Sequence, residues 1–196
     1  SVANVSPLRV CSTKGTIRNV ELVGGSESGL LIGNSQNISV SHLYVRDSSA
    51  TVSTTSGIGI WLFRDCSDCE FNSVRIRNVG GAGFLIDAGT TDGLGLVCQR
   101  ITVDDLKIVG YNKAAGVVSG ADGIGLYGAH FCQFTNFLVE DGDNSGGNAA
   151  LALAVDQANI ASNHNTFSNG ILTNSAVRAI DIIGGSFNLF SNIRCR

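Results

Sequence analysis

One six-residue pattern recurs seven times along this chain: apolar, any, small polar, apolar, any, apolar. It reads Ile17–Leu22, Val40–Val45, Phe71–Ile76, Val103–Ile108, Phe134–Val139, Phe167–Leu172 (with Gly170 in the fourth place) and Phe190–Cys195. The first residues of successive copies stand 23, 31, 32, 31, 33 and 23 positions apart. A unit of this period, stretched here and there by insertions, builds a solenoid in which each copy buries its apolar face on the next.

Within one copy, the two apolar residues flanking the small polar one are three apart. That breaks the alternation of a strand, so a tight turn must lie between them. Asn tolerates the left-handed dihedrals of such a turn. Asn19, Asn136, Asn169 and Asn192, with His42, Ser73 and Asp105 in the same place, are therefore expected to stack as a ladder. A short strand lies on each side of the turn, and a third precedes them. Eight residues before the motif stand Ile32, Phe63, Leu126 and Ile182, and alternation points Leu30, Trp61, Ile124 and Ile180 inward with them.

The expected fold is all-β: a right-handed parallel β-helix, about seven coils with three short strands per coil. The hand is the one that parallel crossovers keep. At about 4.8 Å per coil the rod would be roughly 30–35 Å long. The fourth coil admits two alignments. Either Gly83–Ile86 is its first strand and a long loop follows, the alignment favoured here, or Asp92–Leu96 is, copying Asp122–Leu126. Insertions at Ser48–Ser56, Gly110–Ala121, Asp141–Asn148 and Asn174–Val177 fall at one phase of the coil, and so on one face.

Composition fits a tightly looped, well-buried chain: 196 residues, 25 Gly, one Pro, 43% hydrophobic and 15% charged residues, formal charge −3. Nothing is basic enough for non-specific nucleic-acid binding. No 18-residue apolar run spans a membrane, and no signal segment opens the chain. The repeat argues for a single domain over 1–196. With no initiator Met and no amphipathic cap at Arg196, the chain reads as an excised central part of a longer one.

Of six cysteines, Cys69 and Cys132 occupy a core position filled elsewhere by Ile38 and Ile101. Cys66 and Cys98 each stand five residues before a motif and should stack on neighbouring coils, as free thiols or as a disulfide. Cys66-x-x-Cys69 lacks a second pair to complete a zinc site.

The steps Asn165-Thr166-Phe167-Ser168-Asn169 and Asn188-Leu189-Phe190-Ser191-Asn192 resemble coils of bacteriophage tailspikes, within the pectin-lyase-like superfamily of parallel β-helices. The likeness covers about residues 8 to 196 and its motifs are structural. It implies a homotrimer on the virion tail, or a secreted protein, that binds and hydrolyses bacterial capsule or O-antigen. A non-enzymatic shaft or adhesin, and a uronate lyase or epimerase, are the alternatives. Fold analogy alone establishes no activity.

In such proteins the groove runs along the first strands. The outward positions there would be Arg64, Asp87 and Tyr127, followed by Ala154 and Ile183: a cation, a carboxylate and a ring in line for sugar. Glycoside hydrolysis needs two carboxyls about 5 Å or 6.5–9.5 Å apart. One alignment pairs Asp92 with Asp122. The other sets Asp87 near Asp122, with Asp141 and Asp143 on the wall. A lyase would need a base, and Arg64 or Lys113 could serve. His42, His130 and His164 do not cluster, so no resident metal is expected. Calcium could bind loop carboxylates such as Asp141 and Asp143, on a spacing that matches no specific loop. The outward apolar residues Leu31, Leu62, Leu85, Leu138 and Ile171 would form patches that a trimer covers.

Overall fold

The computed structural model describes residues 6–48, 57–89, 96–113, 121–142, 149–156, 159–175 and 177–196. It is an all-β parallel helix. One seven-stranded parallel sheet holds the first strands: β1 (Leu8–Val10), β3 (Ser28–Gly33), β5 (Ile58–Phe63), β7 (Phe84–Asp87), β10 (Ile124–Tyr127), β13 (Ala149–Ala154) and β15 (Arg178–Ile182). A second seven-stranded sheet holds β2 (Gly15–Val23), β4 (Ile38–Arg46), β6 (Glu70–Arg77), β9 (Thr102–Val109), β12 (Gln133–Glu140), β14 (Thr166–Thr173) and β16 (Leu189–Cys195). β8 (Cys98–Gln99) and β11 (Ala129–His130) pair as a small third sheet. The two strands expected around each motif turn run on as one bent element, which is why two long sheets form rather than three.

The register places Ile17, Val40, Phe71, Val103, Phe134, Phe167 and Phe190 in one column, each beside the next. The turn residue of every motif, Asn19, His42, Ser73, Asp105, Asn136, Asn169 and Asn192, has φ between 51° and 54°. Part of this column is a hydrogen-bonded ladder. Asn192 Nδ2 donates to Asn169 Oδ1 at 2.9 Å, Asn169 Nδ2 to Asn136 Oδ1 at 3.3 Å, and Asn136 Nδ2 to Asp104 Oδ1 at 2.8 Å. These bonds satisfy side chains whose left-handed backbone would otherwise be an unfavourable choice for an L-residue.

Inside the coil the phenylalanines stack. Phe134 and Phe167 lie 5.3 Å apart and Phe167 and Phe190 5.1 Å apart, nearly parallel, while Phe84 meets Phe71 and Phe134 edge-on at 5.1 and 5.8 Å. Such ring pairs add about 0.5–1.5 kcal/mol each beyond their buried area. Cys66, Cys69, Cys98 and Cys132 are buried free thiols, while Cys11 and Cys195 are free and exposed. Ser67 bridges Gln99, so Cys66 and Cys98 are neighbours on adjacent coils and remain unbonded. Burial pushes Cys69 up to about 11 and Cys132 to about 12.

The fourth coil takes the favoured alignment: Phe84 stands beside Ile60 and Ile124, and Asp87 beside Phe63 and Tyr127. The third coil departs from the reading of the sequence by one residue. Leu30 pairs with Ile60, and Ile32 with Leu62, so Ile60 and Leu62 point inward and Trp61 and Phe63 outward. The reason is Asp65, one extra residue in the following turn, where the Cys66 N–H closes on the Arg64 carbonyl at 2.9 Å. A single insertion there reverses every side chain when counted back from Phe71. Leu31, Trp61 and Leu85, all on the outer side of the first sheet, are buried in a second apolar cluster with Ile58 and Ala82. Leu62 lies in the core, so these residues are not the exposed patches that trimer packing was expected to cover; among the named residues Ile171 is exposed.

A second left-handed column lies between first strands and motifs: Asn37, Asp68, Arg100, Phe131, His164 and Phe187, with φ from 53° to 59°. Its side chains stack outside the barrel. Asp68 and Arg100 are ion-paired at 2.7 Å, and His164 is sandwiched between Phe131 at 5.0 Å and Phe187 at 4.9 Å.

Candidate functional site

The outer face of the first sheet carries two columns. One runs Leu31, Trp61, Leu85, Gly125, Ala152, Asp181, and the other Gly33, Phe63, Asp87, Tyr127, Ala154. The expected line of cation, carboxylate and ring is thus a line of two rings around a carboxylate. Phe63 takes the place assigned to Arg64. Arg64 sits one residue on, in a left-handed turn (φ 65°), with its guanidinium 5.3 Å from the centre of the Phe63 ring. It forms the rim of this face, not its floor.

Tyr127 does not stand up from the sheet. Its ring folds back along its own strand across Gly125, where a Cβ would lie 3.0 Å from the ring, and its hydroxyl donates to Asp122 Oδ2 at 2.8 Å. Asp122 Oδ1 accepts the Ala149 N–H at 2.8 Å. Both oxygens of this buried carboxyl are therefore oriented. Burial raises Asp122 above the ordinary carboxyl value, against the two hydrogen bonds that favour its charge. Burial and the Asp122 charge push Tyr127 far above a normal phenol, so it keeps its proton.

Asp87 is raised too, by burial first and then by the charge of Asp156, with the Gly89 N–H at 2.9 Å opposing. Asp156 was not legible as a candidate in the sequence. It follows β13, is buried, and accepts the Ile160 N–H at 2.7 Å through Oδ1, while Oδ2 lies beside Gly128. Its spacing from the motif matches no other coil, because the segment before Phe167 is longer. Asp87 and Asp122 flank Tyr127, and Asp156, at the end of the next strand beside Gly128, lies close enough to Asp87 for its charge to raise it. At about 4.8 Å per strand, carboxyls one and two coils apart span the separations that glycoside hydrolysis uses.

Asp141 is exposed and ion-paired with Lys113 at 3.6 Å, so those two candidates neutralise each other. Asp92 and Asp143 lie outside the described residues. His42 is a ladder residue, His130 Nε2 contacts the Ala161 carbonyl at 2.8 Å, and His164 is stacked. Among the described residues no group of three or more His, Cys, Asp or Glu could hold a metal ion. A separate concavity of about 740 Å³ lies on the outer face of the second sheet, lined by Tyr44, Arg75, Arg77, Lys107 and Glu140. Its Arg75 is held by Asp105 at 2.9 Å and its Lys107 by Glu140 at 3.6 Å. None of these lining residues is a buried carboxyl raised by its surroundings, as Asp87 and Asp122 are on the first sheet.

No protein-family model matches this sequence, and no curated protein does. Two solved structures are similar in fold. A candidate glycosyl hydrolase from Parabacteroides merdae superposes with a TM-score of 0.51 at 10% identity, over 89% of this chain and 82% of its own. An alginate lyase from a Paenibacillus species gives 0.50 at 13% identity, over 98% and 82%. At such identities the likeness is one of fold, a parallel β-helix.

Proposed function

We propose that the chain binds a bacterial surface polysaccharide, capsule or O-antigen, along the outer face of the first sheet and hydrolyses it, as part of a tailspike-like, trimeric, extracellular protein. The observation that carries this reading is the pair of buried carboxyls, Asp87 and Asp122, that flank a protonated Tyr127, with Asp156 close to Asp87. A buried carboxyl raised by its surroundings is a proton donor suited to a glycosidic oxygen, and a second carboxylate serves as base or nucleophile. In this reading Asp87 is the acid and Asp156 its partner. Asp122 fixes Tyr127, whose hydroxyl and ring face the sugar. The same fold carries carbohydrate chemistry in the two neighbours named above, which supports a glycan substrate by analogy.

The test is incubation of the chain with a panel of capsules and O-antigens, following reducing ends and polymer size. Asp87→Asn and Asp122→Asn should each lower oligosaccharide release by a hundredfold or more, while binding persists. Binding with no release by the unaltered chain would favour a glycan-holding shaft. Unsaturated products would favour a lyase.

A further inference from the structure

We propose that the concavity on the outer face of the second sheet is a second binding site, for a carboxylate-bearing sugar such as one uronate unit of an acidic glycan. This site stands apart from the first-sheet face and does not depend on the hydrolysis proposed there.

Register builds its wall. Tyr44, Arg75 and Lys107 stand side by side on β4, β6 and β9, and Arg46, Arg77, Val109 and Glu140 make a parallel row two residues further along. Val45, Ile76 and Ile108, between the two rows, are buried in the core, so both rows point outward. Lys107 lies beside Arg75, and Arg77 beside Val109. Arg77 and Lys107 are therefore diagonal neighbours on one face of the sheet, and side chains of that length can converge on one anion above Val109.

Charge selects the ligand. Arg75 is fully engaged: its guanidinium holds both Asp105 carboxylate oxygens at 2.9 Å, the Asp105 carbonyl at 2.7 Å and the Val74 carbonyl at 3.0 Å. Arg46, outside the lining, is paired with Glu21 and Asp47 at 2.7 Å each. Arg77 differs. It is exposed and takes part in no ion pair among the described residues. Lys107 meets Glu140 only at 3.6 Å, with 45% and 29% of the two side chains exposed, a pair that contributes little and yields to a better partner. The concavity thus sets Arg75, Arg77 and Lys107 against Asp105 and Glu140, a surplus of one positive charge. That matches one carboxylate, which the planar fork of Arg77 fits. A phosphomonoester brings about −1.5 to −2 at neutral pH and would overfill it.

Shape and lining favour a sugar ring behind that carboxylate. The volume, about 740 Å³, lies in the range of ligand pockets. Tyr44, Val109 and the aliphatic stems of Arg75 and Lys107 offer apolar surface to the C–H face of a pyranose. Ser73 and Glu140 line the same space and supply hydroxyl partners.

The experiment is calorimetric titration of the full chain with oligogalacturonate and oligomannuronate, with their carboxyl-reduced counterparts, and with glucose 6-phosphate. One uronate oligomer should bind at least tenfold more tightly than its reduced form, and added salt should weaken it. Arg77→Gln should weaken binding tenfold or more at an unchanged melting temperature, because the side chain it alters is exposed and unpaired. Glu140→Gln should tighten binding several-fold by freeing Lys107, a gain that a merely structural Glu140 would not give. Asp87→Asn, on the first sheet, should leave uronate affinity as it is. Failure of both uronates to bind, equal binding of the reduced forms, or full affinity in Arg77→Gln overturns the proposal. Glucose 6-phosphate binding as tightly as the uronate overturns the choice of carboxylate. Loss of uronate binding in Asp87→Asn moves the ligand to the first sheet and overturns the second site.

Discussion

Single carboxyls on this chain behave in opposite ways, and burial decides which. Asp68, Asp104 and Asp105 lie near the surface and are lowered, chiefly by hydrogen bonds from Arg100, Thr135 and Arg75 respectively. Their contribution to stability is present above the ordinary carboxyl value and is lost as pH falls through the lowered one. Asp87 and Asp122 are raised, so the folded chain binds more protons than the unfolded chain in a window above 3.8. Their effect is the reverse: stability falls as pH rises through that window. Replacing Asp87 by Asn is thus expected to flatten this part of the stability profile, as measured by urea midpoints against pH. The acid role proposed for Asp87 predicts that any turnover is lost on the alkaline side of its raised value, and a profile rising from acid to neutral pH would contradict that role. Thiols give a second check at this scale. Cys11 and Cys195 should react quickly with a maleimide, and the four buried cysteines only after unfolding. Asp87, Asp122 and Tyr127 were legible as candidates because they stand at fixed offsets in a repeat. Asp156 was not, because its coil carries an insertion that breaks the count.

Among the elements, the bent strand around the motif turn is the unit that the sequence describes best. Six residues specify two inward apolar positions, a left-handed corner and a third inward position, and all seven copies stack in register. Asn169→Ala should cost about 1–3 kcal/mol, combining the left-handed backbone preference with two ladder hydrogen bonds. Asn169→Gly should cost less, because glycine accepts φ near 54°. Equal losses in a denaturant titration would show that the dihedral plays no part. Phe134→Ala, which empties the centre of the ring stack, should cost about 3–5 kcal/mol. The first strands were harder to read. Their two faces are both apolar, as Ile60-Trp61-Leu62-Phe63 shows, so hydrophobicity could not choose the register and one residue of turn length, Asp65, decided it. The second left-handed column left little composition signal, since Arg100, Phe131 and Phe187 interrupt the Asn, Asp and His that such dihedrals favour.

For the molecule as a whole, stacking is what makes chemistry from distant residues. Asp87 and Tyr127 are 40 positions apart in the chain and adjacent across β7 and β10. The proposed tailspike-like trimer makes a further demand: light scattering should give three times the 20.4 kDa chain mass, with Leu138 and Ile171, neighbours on the outer side of the second sheet, at or near the contact. A stable monomer would contradict the trimer and leave the fold untouched. The register across the site is tested most directly by a cross-link. In the double variant Asp87→Cys, Tyr127→Cys, mild oxidation of the folded chain should join the two new thiols, and peptide mapping should recover the 87–127 disulfide in high yield. Absence of that link in folded protein, or links formed with equal yield by thiols one residue out of register, would contradict the juxtaposition of Asp87 with Tyr127 on which the site depends.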